Sequence, residues 1–266
     1  MEKVLITGVS GGMGLETLKE FLSLGHQVIG LDIKKPELED KNFIFHQVDL
    51  TNIESIEKIY NDNKEEFSNL SAIIHLAGIY DLNSLIEMKE EDFVRIFNIN
   101  VFSIYRINRT FVSSLKKKGK IIIISSELAP LDPLPFTGIY GITKTTIEKY
   151  AYSLRMELQL LDKQVVVIRP GAVDTGLLNV STTKLDKFCE STTNYSYNAT
   201  RFKNIVDKVE AKKISPSKIA KLIAKVFKKK NPKYIYKINR NPLLRLLNIM
   251  PKRFQNWVIK KILISK

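Results

Sequence analysis

The 266 residues contain one cysteine, Cys189, three histidines and one tryptophan. A lone thiol excludes an internal disulfide and suits a reducing, intracellular compartment. The histidines are scattered and show no metal-ligand spacing, so no metal site is expected, and His75 reads as a strand-filling residue. No apolar run approaches the roughly 20 residues that a membrane-spanning helix needs. Residues 1–7 read as a first strand and not as a secretory signal, which makes a cytoplasmic location the expectation. Acidic residues are missing from one region above all. None follows Glu210, and the 56 residues beyond it hold 17 of the 42 Lys and Arg. Residues 1–210 carry 25 basic against 28 acidic side chains, a net of −3 in a chain whose total is +14. The basicity belongs to the tail, which removes most support for nucleic-acid binding by the whole protein.

What is present fits an ordinary globule. Hydrophobic residues make up 44% and charged residues 26%, and the length suits one large α/β domain with a well-buried core. Glycine is sparse, yet Gly8, Gly11, Gly12 and Gly14 fall within seven residues, after the apolar run Val4 to Ile6 and before an amphipathic stretch, Leu15 to Leu24. Strand, glycine-rich turn and helix together aim backbone N–H groups at a phosphate. A second strand, Gln27 to Leu31, ends at Asp32, 18 residues past Gly14. An acidic side chain there can accept from both adenosine ribose hydroxyls and repels a 2′-phosphate, favouring NAD over NADP. Lys34 and Lys35 leave NADP open.

Further strands are expected over Phe43 to Val48, Ala72 to Leu76, Lys120 to Ile124, Val165 to Ile168 and Tyr234 to Ile238, the isoleucine run reading as a strand buried on both faces. Helical spacing covers Glu90 to Leu115, with Asn98 and Asn100 inside it, and a helix from Tyr140 to about Leu161. A Pro-rich loop, Ala129 to Pro135, joins Ser125-Ser126 to that last helix. Tyr140 and Lys144, four residues apart, face the same way on a helix. An ammonium near the phenol would pull its pKa below about 10 and make it a general acid/base near neutral pH.

Taken together, TGVSGGMG, Asp32, VDL, HLAG, NINV, the Ser-Ser strand end, YGITK and PGAVDT resemble the short-chain dehydrogenase/reductase family of single-domain Rossmann type, in order, over residues 4–175. The resemblance implies a doubly wound parallel sheet of about seven strands with helices on both faces. It implies Tyr140 as the proton-transfer group, with Lys144 lowering its pKa and bonding the nicotinamide ribose. Ser126 would orient the substrate oxygen and Asn100 would anchor a relay water. Cofactor contacts would come from Gly8, Ser10, Gly11, Gly12, Met13 and Gly14. Others would come from Asp32, Asp49, Leu50, Ala77, Gly78, Asn100, Pro170, Val173 and Thr175, besides Tyr140 and Lys144. Ser126 stands 14 residues before Tyr140 where 13 is usual, so Ser125 stays open as the alternative. His75-Leu76-Ala77-Gly78 replaces the family's Asn-Asn-Ala-Gly.

The expected organisation is a dinucleotide-binding domain over residues 1–240, with a substrate lid at 176–213, and a basic amphipathic extension over 241–266. The lid's composition also suits a loosely ordered surface insertion. Ser215-Pro216 opens a helix. In the extension, apolar residues on either side of Pro251 alternate with Arg and Lys. Such a face over residues 243–264 fits an anionic bilayer surface, the substrate cleft or a neighbouring subunit equally well. The activity implied is NAD(P)-dependent interconversion of a secondary alcohol and a ketone, on a hydrophobic, lipid- or steroid-like small molecule, in a homodimer or homotetramer. The alternatives are a sugar-nucleotide epimerase or dehydratase with retained NAD, and a non-catalytic dinucleotide-binding scaffold.

Overall fold

Seven parallel strands form one sheet in the order β3-β2-β1-β4-β5-β6-β7. They are β1 (Lys3–Thr7), β2 (Gln27–Asp32), β3 (Phe43–Gln47), β4 (Leu70–His75), β5 (Leu115–Ile124), β6 (Gln164–Pro170) and β7 (Ile235–Ile238). The structure, a computed structural model, describes residues 1–210 and 212–264, with the side chains of 176–182, 184, 209 and 210 excepted. Residues 211 and 265–266, part of the expected lid and extension, lie outside the described residues.

Successive side chains of a strand point to opposite faces, and here both faces are covered. Leu5, Ile73, Ile121, Ile123 and Val165 pack on one side with Phe67, Phe111 and Ile147, while Val4, Ile74, Ile122 and Val166 pack on the other with Leu18, Phe21 and Ile223. This explains why the central strands are runs of Ile and Val with no polar alternation. The covering helices are α1 (Gly12–Ser23), α2 (Ile53–Asp62), α3 (Glu90–Phe97), α4 (Ser103–Phe111), α5 (Gly138–Leu158) and α8 (Pro216–Lys228). His75 fills the strand as expected, buried with its Nε2 2.9 Å from Asn108 Oδ1. Burial drives its pKa down to about 4, so it is neutral at physiological pH.

Several boundaries differ from the sequence expectation. The segment Glu90 to Leu115 is not one helix. A π-helical turn, Asn98–Phe102, interrupts it between α3 and α4, and Leu115 already belongs to β5. The wide turn presents the fully buried Asn100 to residue 79, where its Oδ1 accepts from Ile79 N at 2.8 Å and its Nδ2 donates to Ile79 O at 2.9 Å. A turn of this kind is frequent at functional sites. The β5 strand is longer than its isoleucines indicate because Leu115 pairs with Leu70 across a register shift, where Lys118 takes a φ of 60°. α5 ends at Leu158, and a single 3₁₀ turn carries the chain through Leu161.

Residues 176–210 are helical and not an irregular insertion. They form α6 (Gly176–Ser191) and α7 (Ser196–Glu210). Glu87 clamps the turn between them, accepting from Thr192 Oγ1 at 2.6 Å, Thr193 Oγ1 at 3.1 Å and Asn194 N at 2.9 Å. These donors, Thr192 foremost, hold the Glu87 carboxyl down to about 2. The basic extension forms α9 (Pro242–Ile249), capped by Asn241, and α10 (Lys252–Ile264). Pro251 falls between them, where a helix cannot continue. Their apolar residues divide. Leu263 is buried with Phe202, Val206 and Phe188, and Asn198 Nδ2 donates to Leu263 O at 2.9 Å. Leu243, Leu246, Ile249, Phe254 and Trp257 remain exposed. No described helix is long and apolar enough to cross a membrane.

Candidate active site

The first strand order reversal lies between β1 and β4, and ligands of open α/β sheets bind outside the carboxyl ends of the strands at such a point. The glycine loop between β1 and α1 sits there. Gly8 has a φ of 69°, and a Cβ on it would stand 2.5 Å from Ala77 N. A Cβ on Gly14 would stand 1.9 Å from Gly8 O. No side chain fits at either position: glycine at 8 lets the loop fold onto the Leu76-Ala77 backbone beyond β4, and glycine at 14 lets α1 start against Gly8. Asp32, closing β2, reaches over this loop. Its Oδ2 accepts from Ser10 N at 3.0 Å and its Oδ1 from Lys34 N at 3.3 Å. A bare backbone cradle with a carboxylate at the end of β2 suits the pyrophosphate and ribose of a dinucleotide.

Further along the same edge, a cavity of about 190 Å³ is lined by the ends of β4, β5 and β6 and by residues of α5, α7 and α9. Met13, Gly78, Pro170, Val173 and Thr175, all expected at a cofactor, line it together with Ser126, Tyr140 and Lys144. Val173 bridges to Ile214, and Thr175 is the buried residue that precedes α6. Asn100 lies behind the wall, its Oδ1 3.3 Å from the position of a Gly78 Cβ. Its Nδ2 also donates to Thr143 Oγ1 at 3.2 Å, so it ties β4's end to α5. Gly8, Ser10 and Gly11 form the adjoining loop, Gly12 and Gly14 open α1, and Ala77 lies beyond β4 against Gly8. Asp49 is turned back on its own strand end, accepting at Oδ1 from Thr51 N and Oγ1, both at 2.8 Å. Leu50 is buried in the core.

The two serines part company. Ser125 Oγ donates to Glu148 Oε1 at 2.8 Å, away from the phenol. Ser126 lines the cavity with Tyr140 and its hydroxyl draws the phenol's pKa down, so Ser126 is the serine on the tyrosine's side. Lys144 lies one turn along α5, with its Nζ 5.5 Å from the Tyr140 ring centroid and donating to Ile124 O at 3.1 Å.

The electrostatics differ from the sequence expectation of a phenol below its ordinary pKa. Burial pushes Tyr140 up to about 12, the Ser126 bond pulling the other way. The same desolvation pushes Lys144 down to about 8, opposed by the charge of Glu148. In this cavity loss of water decides the direction of both shifts. Proximity in sequence does not report dehydration.

Four contributions had no clear sequence motif. Glu148 sits four residues beyond Lys144 and forms a fork with Arg169, Nε to Oε1 at 2.7 Å and a second, shorter contact from Nη2 to Oε2. The i, i+4 spacing from Lys144 is the one signal that points to it. Tyr80 packs edge-on against Tyr140, with centroids 4.6 Å apart. Phe202, Ile205 and Val206 of α7 and Leu244 of α9 close the far side of the cavity. Glu127, directly after Ser126, also lines it. Cys189 packs beside the aromatic lid cluster, and burial pushes its thiol up, which keeps it protonated and unreactive.

The short chain dehydrogenase family profile matches residues 2–186. The chain belongs to that family. This short-chain dehydrogenase is 27% identical over 246 residues to a 3-ketodihydrosphingosine reductase of Bacteroides thetaiotaomicron, an alignment spanning 92% of this chain and 89% of that protein. Its fold matches the closed form of a serine dehydrogenase complexed with NADP+, at a TM-score of 0.71 and 22% identity over 89% of this chain and 94% of that one. It also matches a 3-ketoacyl-(acyl-carrier-protein) reductase from Brucella melitensis complexed with NADH, at a TM-score of 0.71 and 18% identity over 89% and 96%. Structures of this fold thus include complexes with both dinucleotides.

The Glu148–Arg169 pair makes a direct prediction. Glu148→Gln removes a charge from a mostly buried pair and leaves the guanidinium without its counter-ion, at a cost of about 3–5 kcal/mol. Urea unfolding should report that loss. In the same variant Lys144, deprived of the charge that opposes desolvation, should titrate at a lower pH than in the parent. An unchanged urea midpoint would contradict this account of the pair.

Proposed function

We propose that this short-chain dehydrogenase interconverts a secondary alcohol and a ketone on a hydrophobic substrate, with NAD(H) preferred over NADP(H). The observation that carries the reading is Tyr140, flanked by Ser126 and Lys144, facing a mainly apolar cavity that adjoins the glycine cradle. The dinucleotide, when bound, supplies or accepts the hydride at the reacting carbon. Ser126 Oγ and the Tyr140 hydroxyl hold the substrate oxygen between them. On reduction Tyr140 gives its phenolic proton to that oxygen as the carbon becomes tetrahedral, and on oxidation it takes the proton back. Lys144 steadies the phenolate that remains. α7 and Leu244 exclude water from the reacting atoms, which strengthens each of these contacts. Apolar walls support a lipid-like chain as the remainder of the substrate.

The preference for NAD rests on Asp32. A carboxylate at the end of β2 accepts from ribose hydroxyls and repels a 2′-phosphate. The tail supports a further reading, peripheral contact with an anionic membrane. Leu243, Leu246, Ile249, Phe254 and Trp257 are exposed beside the exposed Arg245, Arg253, Lys260 and Lys261, and the Phe254 and Trp257 rings stack 5.7 Å apart. Basic side chains around an apolar face suit the boundary between headgroups and acyl chains. Leu244 of the same helix lines the cavity, so the exposed face neighbours the route a membrane-dissolved substrate would take.

Three outcomes are expected. Tyr140→Phe should lower kcat by about 10² to 10⁴ while dinucleotide titration stays near the parent value, and full activity in this variant would refute the mechanism. The parent should show a kcat/KM for NADH at least about tenfold above that for NADPH, and Asp32→Ala should erase the difference. A parent preference for NADPH would defeat that assignment. Vesicles containing anionic lipid should co-sediment the protein at low salt and release it at high salt, whereas protein left in the supernatant at both would remove the membrane contact.

A further inference from the structure

Tyr80 enters none of the steps just described, yet it lines the cavity and its ring meets the ring of the proton donor. The two centroids are 4.6 Å apart at an interplanar angle of 73°, the edge-to-face arrangement that aromatic pairs favour. One buried side chain fixes both partners. Asn100 accepts from Ile79 N and donates to Ile79 O, which sets the peptide just before Tyr80. Its Nδ2 also donates to Thr143 Oγ1, and that hydroxyl donates to Tyr140 O at 2.8 Å. The backbones of the two tyrosines therefore hang from the same amide. Beyond Tyr80 the loop is fastened again to the chain entering α5. Leu82 is buried with Phe136, Asn83 N donates to Phe136 O at 2.9 Å, and Leu85 Cδ1 stands 2.9 Å from where a Gly138 Cβ would be. Tyr80 itself packs on the lid cluster of Phe136, Phe188 and Phe202.

A tyrosine hydroxyl lies on the axis about which its ring spins, so rotation at χ2 leaves it in place and only a swing at χ1 moves it. A rigid neighbour against the ring blocks that swing. Lys144 Nζ also stands near the ring, at 5.5 Å, but it ends a flexible four-carbon stem and is committed to Ile124 O. It offers charge and little restraint. A misplacement of about 1 Å at a reacting group can cost about 10²-fold in rate. Taking Tyr140 as the proton donor from the oxidoreductase reading above, we infer that Tyr80 is a positioning residue whose ring holds the Tyr140 hydroxyl at the substrate oxygen and keeps water from it. The same ring touches the lid cluster, so the lid's packing and the placement of the proton donor share one side chain.

Three variants separate this role from space-filling. Tyr80→Phe keeps the ring, Tyr80→Leu keeps apolar bulk without it, and Tyr80→Ala keeps neither. With NADH and 2-dodecanone, Tyr80→Phe should retain most of the parent kcat. Tyr80→Leu should lose about 10- to 100-fold, with dinucleotide affinity unchanged in both. A second readout needs no turnover: the tyrosinate absorbance that Tyr140→Phe removes from each background. Burial pushes Tyr140 up to about 12 in the parent, so it should contribute almost nothing between about pH 9 and 11, around an ordinary tyrosine. Water favours the charged phenolate, so Tyr140 should ionise within that range in Tyr80→Ala, less so in Tyr80→Leu, and not in Tyr80→Phe. A ring that only fills the loop would lower the urea midpoint and leave this titration where it was. Tyr140 ionising alike in the parent and both ring-free variants, or Tyr80→Phe behaving like Tyr80→Leu, would overturn the inference. A moved titration with no ketone reduced, even by the parent, would sustain the ring's role and remove the oxidoreductase reading alone.

Discussion

A lysine ammonium stripped of water is held one helical turn from a tyrosine hydroxyl, and much of the structure around the cavity follows from that demand. Burying an ion is costly by several kcal/mol unless it is bonded and compensated. Here Ile124 O at the end of β5 accepts from Lys144 Nζ, the Tyr140 ring offers its face, and Glu148 on the next turn supplies opposite charge. Glu148 is itself held by Arg169 from β6 and by Ser125 directly after β5. The reacting side chains therefore rest on a frame of three elements, α5, β5 and β6, all fixed by the parallel ladder. Ser125 and Ser126, neighbours in sequence, serve opposite sides of this frame because adjacent residues of an extended chain point in opposite directions.

The same constraint shapes the cavity's outer wall. Groups that work by losing water need a cover, and the sheet's carboxyl edge is open by construction. Two helical segments close it. α6 and α7 are joined at a turn clamped by Glu87, and the tail lays Leu244 into the cavity and Leu263 against α7. Asp132, in the loop before α5, receives Asn248 at 2.7 Å and a closer contact from Lys252. The basic extension is thus part of the site's enclosure, while its Leu243, Leu246, Ile249, Phe254 and Trp257 are exposed.

Parts of this were legible from residues alone for a physical reason. Parallel strands buried on both faces must be apolar throughout, and backbone that packs on backbone must be glycine. Both requirements leave marks at fixed positions, such as Ile121 to Ile124 and Gly8 to Gly14. The spacing of Tyr140 and Lys144 is read as readily, because a helix converts it into a shared face. The π turn at Asn98–Phe102 left no such mark, since a wide turn has the composition of the helix it interrupts. The lid's helices were equally obscured, because their stability comes from packing on Phe136, Leu82 and the tail.

By itself the sequence determined the order of the seven strands, the glycine cradle, the acidic residue closing β2 and the pairing of phenol with amine. Those depend on local geometry and on periods of two and 3.6 residues. Only the tertiary structure decided that Ser126 and not Ser125 faces Tyr140, that the phenol is raised and not lowered, and that Glu127 shares its cavity. Each of these turns on how much water and which distant groups surround an atom, and dehydration is a property of the packed chain that no spacing of residues encodes.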